Sequence, residues 1–282
     1  MRGRVCVITG ATRGLGRATA LGLASKGARV VLMVRDTEAG SRVRAEISAA
    51  TGNDDVTVMP LDLASFESVH SAARDLRQRF SALHVLINNA GVNLARRAVS
   101  VDGHEMTLAV NHLGPFLLTR LLEPMLRAGA PSRVVVVTSI FERMGRIHFQ
   151  DLQLERGYNA IRAYTQSKLA NILFTYALAE RLKGAGVTVN CVHPGLVATD
   201  LMRDLPRWVR AIYEPFLSTP ERAAAAIVRL ASAPELSTVT GRYFAGARET
   251  RSSGRSYDVE TRERLWRVSE TLTGQSGALN PA

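Results

Sequence analysis

Cysteine is nearly absent: Cys6 and Cys191 are the only two in 282 residues, and each stands inside an apolar run. Two such thiols build no disulfide framework, and no Cys/His spacing of the kind that holds structural zinc is present. Lysine is also scarce for so basic a chain. Of 36 basic residues only three are lysines (Lys26, Lys168 and Lys183), and the excess over 25 acidic residues gives a formal charge of +11. The arginines are scattered, without dense runs or interleaved aromatics, so the clustered stripe that tracks a phosphate backbone is missing and no nucleic-acid partner is expected. A net positive field still favours a phosphate-bearing small molecule. Aromatic residues make up only 6%, which leaves the core to Ala, Val, Leu and Ile. No apolar run reaches the roughly 18 residues that span a bilayer. The chain starts Met1-Arg2-Gly3-Arg4 and passes directly into a strand-like run, with no signal-peptide pattern. These features predict a cytoplasmic protein without a transmembrane segment.

What is present is alternation. Residues 4–9 (RVCVIT) are β-branched and closed by Gly10, so they read as a buried strand, and 15–25 carry apolar residues at helical spacing up to Lys26-Gly27. Further strands are expected at 29–34, 56–59, 83–87, 133–137 and 187–192, with a helix over 37–50 and others between the later strands. Repeated strand–helix–strand units with helical crossovers require a parallel sheet covered on both faces. No internal repeat and no Ser/Pro/Gly-rich linker interrupts them. The prediction is a single doubly wound α/β domain. Residues 248–255 are polar and turn-rich, 260–272 read as an amphipathic helix, and a short disordered tail is expected after it.

The first strand runs into Thr9-Gly10-Ala11-Thr12-Arg13-Gly14-Leu15-Gly16, and a helix starts at once. Glycines spaced G-x-x-x-G-x-G let the backbone approach a pyrophosphate, and the helix N-terminus offers unpaired N–H groups to its charge. Alone, a glycine turn between strand and helix can equally be structural. Charge bears on which dinucleotide binds. An acidic residue at the end of the second strand suits the ribose 2′-hydroxyl of NAD(H), whereas a 2′-phosphate calls for arginine. The second strand ends Met33-Val34-Arg35-Asp36, and the loop adds Arg13. Two arginines favour NADP(H). The competing reading gives Asp36 the acidic role, or leaves Arg35 as a solvated strand-end residue.

Farther along, Tyr164 and Lys168 stand four apart in a helical run and so share a face. A phenol with a pKa near 10 is a poor acid or base at neutral pH, and an ammonium beside it stabilises the phenolate. Ser139, just past the run 133–137, offers a hydroxyl for a substrate oxygen. A Y-x-x-x-K pair by itself also occurs by chance on many surface helices. In order, Thr9-Gly10-x-x-x-Gly14-x-Gly16, Asn88-Asn89-Ala90-Gly91, Asn111, Ser139 and Tyr164-x-x-x-Lys168 resemble the short-chain dehydrogenase/reductase (SDR) family over residues 3–273. The stretches VNHLGPFLLT (110–119), GRIHFQDL (145–152), SKLAN (167–171) and VHPGLV (192–197) are similar to its retinol-dehydrogenase-like branch. So are Tyr243-Phe244-Ala245, Glu263-Arg264-Leu265-Trp266 and the gap of 25 residues from Ser139 to Tyr164.

The resemblance implies a Rossmann-type doubly wound seven-stranded parallel sheet with helices on both faces. Residues 1–130 would mainly bind cofactor, and 131–247 would carry the catalytic and substrate-binding part with a lid at 200–217; 248–282 would be a C-terminal extension. It implies an NADP(H)-dependent oxidoreductase that passes hydride between the nicotinamide and a ketone, aldehyde or alcohol. Tyr164 would be the acid/base. Lys168 would lower its pKa and bind the nicotinamide ribose, Ser139 would orient the substrate oxygen, and Asn111 would hold a proton-relaying water. Gly10, Thr12, Arg13, Gly14, Leu15 and Gly16 would cradle the phosphates, with Arg35 at the 2′-phosphate and Asp62 and Leu63 at the adenine. Asn89, Ala90 and Gly91 would line the central groove, and Pro194, Gly195, Val197 and Thr199 would grip the nicotinamide end. A homodimer or homotetramer through the helices carrying Asn111 and Tyr164 is the implied assembly.

Two features depart from the branch. Thr138-Ser139 stands where Ser-Ser is usual, followed by Ile140-Phe141-Glu142; Ser139 is kept, and Phe141 and Glu142 are placed to reshape the substrate pocket. Glu142 reads either as an added acid/base or as a solvent-facing side chain. Membrane-bound members carry an N-terminal anchor, and this sequence shows none. In the lid, Trp208, Tyr213 and Phe216 are suited to cover a greasy substrate, to pack the lid on the sheet, or, with Arg203, Arg207 and Arg210, to lie on a membrane surface. His112, His148 and His193 lack short ligand spacing and read as structural, so no metal is expected. Two other function classes stay open: an SDR-fold enzyme that cyclises, isomerises or dehydrates without net redox, and a non-catalytic NADP(H)-binding scaffold.

Overall fold

The computed structural model describes residues 1–195 and 219–275. Among them eight strands share one sheet: β1 (Val5–Thr9), β2 (Arg29–Val34), β3 (Val56–Pro60), β4 (Val85–Asn88), β5 (Ser132–Val137), β6 (Val187–His193), β7 (Arg242–Ala245) and β8 (Arg248–Thr250). Their order is β3-β2-β1-β4-β5-β6-β7-β8. All neighbours pair in parallel as far as β7, with Val7 opposite Val31, Ile87 opposite Val135 and Val136 opposite Cys191. β1 and β6 are buried along their whole length. Burial on both faces is why they read as unbroken apolar runs and not as alternating ones.

The seven expected parallel strands, β1 to β7, are present, and one short strand adds to them at the edge. β8 pairs antiparallel with β7, Ala245 opposite Arg248, across a tight turn in which Gly246 adopts a positive φ of 58°. Residues 248–250 lie at the sheet edge with their side chains largely exposed, so the hydrophobic pattern that marks an inner strand is absent and the segment resembles a polar loop.

Helices cover both faces. On one, α1 (Gly14–Ala24), α2 (Thr37–Thr51) and α7 (Pro220–Ser232) bury Leu23, Ile47, Ile227 and Leu230 against Ile8, Leu32 and Ile87. On the other lie α3 (Phe66–Arg79), α5 (Gly114–Ala128), α6 (Ala160–Arg181) and α8 (Val259–Leu272). There Phe116, Leu117, Ile172, Phe174 and Trp266 cover Val7, Val31, Leu86 and Val134. Each such large side chain, fully buried, contributes about 1.5–3 kcal/mol. The helices start where a cap permits: Asp36 accepts from Ala39 N, Ser65 from Ser68 N, Asn159 from Ile161 N and Arg162 N, and Asp258 from Glu260 N. α4 (Met106–Leu108) runs through a π-turn (Ala109–Leu113) into α5, and a 3-10 turn (Ile140–Met144) follows β5. No described helix is long and apolar enough to cross a membrane. Val197, Thr199, Trp208, Tyr213 and Phe216, with the lid at 200–217, lie outside the described residues.

Candidate active site

The strand order reverses between β1 and β4, and such switch points open a crevice at the carboxyl ends of the strands. β1 ends there in Thr9, after which Gly10 turns the chain with φ 68°. Gly10 has no room for a side chain, since a Cβ would lie 2.9 Å from Ala90 Cα. At Gly16 a Cβ would meet Gly10 O at 2.3 Å and Asn89 Nδ2 at 2.6 Å, so the first turn of α1 lies directly against the loop. Asn89 pins that loop: its Nδ2 donates to Thr9 O at 2.9 Å and Gly10 O at 3.2 Å. Thr9 Oγ1 in turn accepts from Asn89 N at 3.0 Å and Ala90 N at 3.1 Å. α1 has no side-chain cap and no acidic residue in its first turn. Its leading amides, behind Thr12, Arg13, Gly14 and Leu15, therefore suit an anion. A glycine cradle that a Cβ would fill, below an uncapped helix start, fits a dinucleotide pyrophosphate.

Arg13, at the start of α1, and Arg35, just past the end of β2, are both exposed. Asp36, the competing acidic candidate, is engaged as the cap of α2, its Oδ1 accepting from Ala39 N at 2.9 Å. Asp62 follows β3 and folds onto its own turn, Oδ1 accepting from Ala64 N at 2.9 Å, while Leu63 is buried. Gly195 follows β6 and Pro194 with φ 98°.

The polar centre forms where β5 meets α6. Ser139 caps the 3-10 turn, its Oγ accepting from Phe141 N at 3.4 Å. Burial pushes the Tyr164 phenol up to about 12, opposed by a hydrogen bond with Ser139. Lys168 is buried one helical turn on, its Nζ 5.4 Å from the Tyr164 ring centroid and 3.4 Å from Val137 O, and burial alone draws its pKa down to about 8. In the protein by itself, then, the phenol is raised and not lowered. Thr138, whose Oγ1 donates to Lys168 O at 2.9 Å, ties the strand end to this helix.

Asn111 lies in the π-turn, a deformation that recurs at functional sites. Its Nδ2 donates to Val92 O and Ser167 Oγ, both at 2.9 Å, and its Oδ1 accepts from Val92 N at 2.7 Å. With both N–H groups committed, the side chain acts as a strut. A Cβ at Gly91 would sit 3.3 Å from Asn111 Oδ1 and 3.4 Å from Lys168 Nζ, so Gly91, Asn111 and Lys168 close one corner of the groove. The Phe141 ring meets the Tyr164 ring edge-on at 6.2 Å.

Sequence reasoning gave no role to Thr9, Thr138 or Ser167, which brace the predicted residues, although each stood inside a motif it singled out: the glycine motif, Thr138-Ser139 and SKLAN. For Glu142 the solvent-facing reading is corrected. It is fully buried and not solvated, and Ser253 donates to both of its oxygens. The three histidines are dispersed: His112 shares a hydrogen bond with Ser269, and burial followed by the Arg143 charge draws His193 down to about 4. Among the described residues no cluster of three potential metal ligands occurs.

A profile of the short chain dehydrogenase family matches residues 4–210. The chain belongs to that family. Human retinol dehydrogenase 11 is 45% identical over 274 residues, covering 96% of this chain and 86% of that protein, which places the chain in the retinol-dehydrogenase-like branch. Among solved structures, the Pseudomonas aeruginosa RhlG/NADP active-site complex superposes with a TM-score of 0.72 at 28% identity, covering 91% of this chain and 97% of that one. The 3-ketoacyl-(acyl-carrier-protein) reductase from Brucella melitensis complexed with NADH gives 0.70 at 26%, covering 90% and 99%. Membership of this family makes the protein an oxidoreductase of alcohols or carbonyls that uses a nicotinamide cofactor.

Proposed function

We propose that the protein is an NADP(H)-dependent reductase or dehydrogenase that interconverts a ketone or aldehyde and an alcohol on a mostly apolar small molecule. The observation that carries this reading is the meeting of Ser139, Tyr164 and Lys168 beside the glycine cradle. Gly10 to Gly16 would hold the pyrophosphate, Asn89 to Gly91 the middle of the groove, and Arg13 with Arg35 the 2′-phosphate, since Asp36 is committed to its helix. When bound, the nicotinamide supplies or accepts the hydride. Ser139 Oγ would hold the substrate oxygen, and the Tyr164 hydroxyl would give that oxygen its proton in reduction and take it back in oxidation. The buried Lys168 ammonium would stabilise the phenolate and replenish its proton, with Asn111 holding Lys168's surroundings in place. Exposed Ile140, Phe141, Met144 and Ile161 flank Ser139 and Tyr164 in sequence and favour an apolar substrate body.

The test is titration of wild-type and Tyr164→Phe protein with NADPH and NADH, followed by consumption of reduced nicotinamide on a panel of apolar ketones and aldehydes. NADPH should bind both proteins, with turnover only in the wild type. Equal turnover by the two proteins would remove Tyr164 from the chemistry.

A further inference from the structure

The turn that follows Ser139 is held from two sides. On one side it lies against α6, where a Cβ at Gly145 would meet Thr165 O at 2.5 Å and Leu169 Cβ at 2.9 Å. On the other, the segment between β8 and α8 reaches back to it. Arg143 Nη2 donates to Arg251 O at 3.2 Å, and Arg255 Nη1 to Gly145 O at 3.5 Å. Between these contacts Glu142 is fully buried, and Ser253 donates to it twice, from N to Oε1 at 2.9 Å and from Oγ to Oε2 at 2.5 Å. The same segment is fastened to α6, because Ser252 Oγ shares hydrogen bonds with Tyr176 OH at 2.7 Å and with Ser256 Oγ at 2.6 Å.

A buried carboxylate persists only where donors satisfy it, and bonds to an ionised acceptor are about twice as strong as neutral ones. The Ile140–Met144 turn has little hold of its own, since a single 3-10 turn makes few and poorly aligned bonds. Its position is therefore set by its tertiary anchors, and Glu142 is the fully buried charged one. Ser139, which opens this turn, hydrogen-bonds with Tyr164, and the ring of Phe141, its second residue, meets the Tyr164 ring edge-on.

We propose that Glu142 is a positioning residue: its two-bond grip on Ser253 fixes the turn so that Ser139 Oγ and the Phe141 ring keep their places against Tyr164. The C-terminal segment thereby becomes part of what shapes the substrate site. This rests on the activity proposed above, and it gives Glu142 no proton to transfer.

The experiment uses the full chain as wild type, Ser253→Ala, Ser253→Thr and Glu142→Gln. Steady-state reduction with NADPH is measured together with amide hydrogen exchange of residues 140–145 in protein without cofactor. Ser253→Ala should lower kcat about tenfold, leave the KM for NADPH within about twofold, and speed exchange at 140–145 alone. Ser253→Thr keeps the hydroxyl and should restore both readouts. Glu142→Gln keeps an acceptor for Ser253 N and should retain kcat within about threefold, whereas a proton-transferring group would lose far more. Unchanged kcat and exchange in Ser253→Ala would overturn the proposal. So would faster exchange through β5 and α6 with a matching rise in the KM for NADPH, which marks a general structural role. A wild type without turnover on the panel defeats the proposed activity instead, and the exchange comparison then decides the Glu142–Ser253 grip by itself.

Discussion

Asn111 Nδ2 donates to Ser167 Oγ at 2.9 Å, and Ser167 Oγ passes the link on to Tyr164 O at 2.8 Å. The π-turn is thus tied to the stretch of α6 that sets the spacing of Tyr164 and Lys168. Asn111→Ala deletes this strut and leaves the partly buried Val92 N and O without this partner, a loss of about 1 kcal/mol or more. We expect kcat to fall about ten- to hundredfold while NADPH affinity changes less than about threefold, because the phosphate cradle is built from β1, α1 and Asn89. Steady-state kinetics paired with a cofactor titration checks this. A loss confined to cofactor affinity would contradict it.

The choice of cofactor yields a separate prediction. Arg13 and Arg35, proposed to meet the 2′-phosphate, are exposed, and Asp36 is engaged by Ala39 N. Arg35→Ala should weaken NADPH about ten- to thirtyfold, the worth of one charge-assisted phosphate contact, and leave NADH almost unaffected. Raising the salt concentration should shrink the difference, since exposed charges are screened. Equal effects on the two cofactors would return Arg35 to a solvated strand end.

How much of this could be read beforehand depends on what each residue leaves in the chain. β1, β2, β5 and β6 were legible because burial on both faces prints an unbroken apolar run, and their ends move by a residue at most. β8 prints nothing apolar: its side chains lie largely toward solvent, where Glu249 meets Arg242 of β7 in an exposed ion pair. The glycine loop, Tyr164, Lys168 and Ser139 were legible because their chemistry imposes residue types at fixed spacing. The burial of Glu142 was not, since a lone carboxylate reads as well solvated as buried while its partner Ser253 stands 111 positions away. The same holds for Trp266, whose ring packs on Phe116 and Phe174 from two other helices and carries the Arg181 guanidinium 4.0 Å from its centroid.

Lys168 should cost the empty protein stability. Burial places its pKa near 8, below the ordinary value of about 10.5, so the folded state disfavours the charged form. Between these values the unfolded chain holds more protons, and this residue's contribution to stability rises with pH through that window. Lys168→Met retains the apolar stem and removes the charge. It should raise the unfolding free energy near pH 7 by about 2–3 kcal/mol and abolish turnover. Urea denaturation from about pH 7 to about pH 10 tests it. The gap between the two proteins should narrow as pH rises, and a gap that widens would refute the assignment.

His112 supplies the opposite edge of the pH profile. The ring is buried beside Asn111, where its Nε2 shares a hydrogen bond with Ser269 Oγ at 2.9 Å and so joins the π-turn to α8. Burial draws its pKa down to about 4 from the ordinary 6.5, against a smaller opposing pull from Asn171. The folded value lies below the unfolded one. The stabilisation that comes from keeping the ring neutral is therefore complete above about pH 6.5 and is lost as pH falls toward 4. The window is worth about 3 kcal/mol, and His193, also drawn down to about 4, acts in the same direction. Glutamine at position 112 can keep a bond to Ser269 but takes up no proton. His112→Gln should therefore lose about 2–3 kcal/mol less than the wild type when urea unfolding at about pH 7.5 is compared with that at about pH 4.5. Parallel losses in the two proteins would show that the acid sensitivity of the fold resides in other groups, and that the joint between the π-turn and α8 survives protonation of the ring.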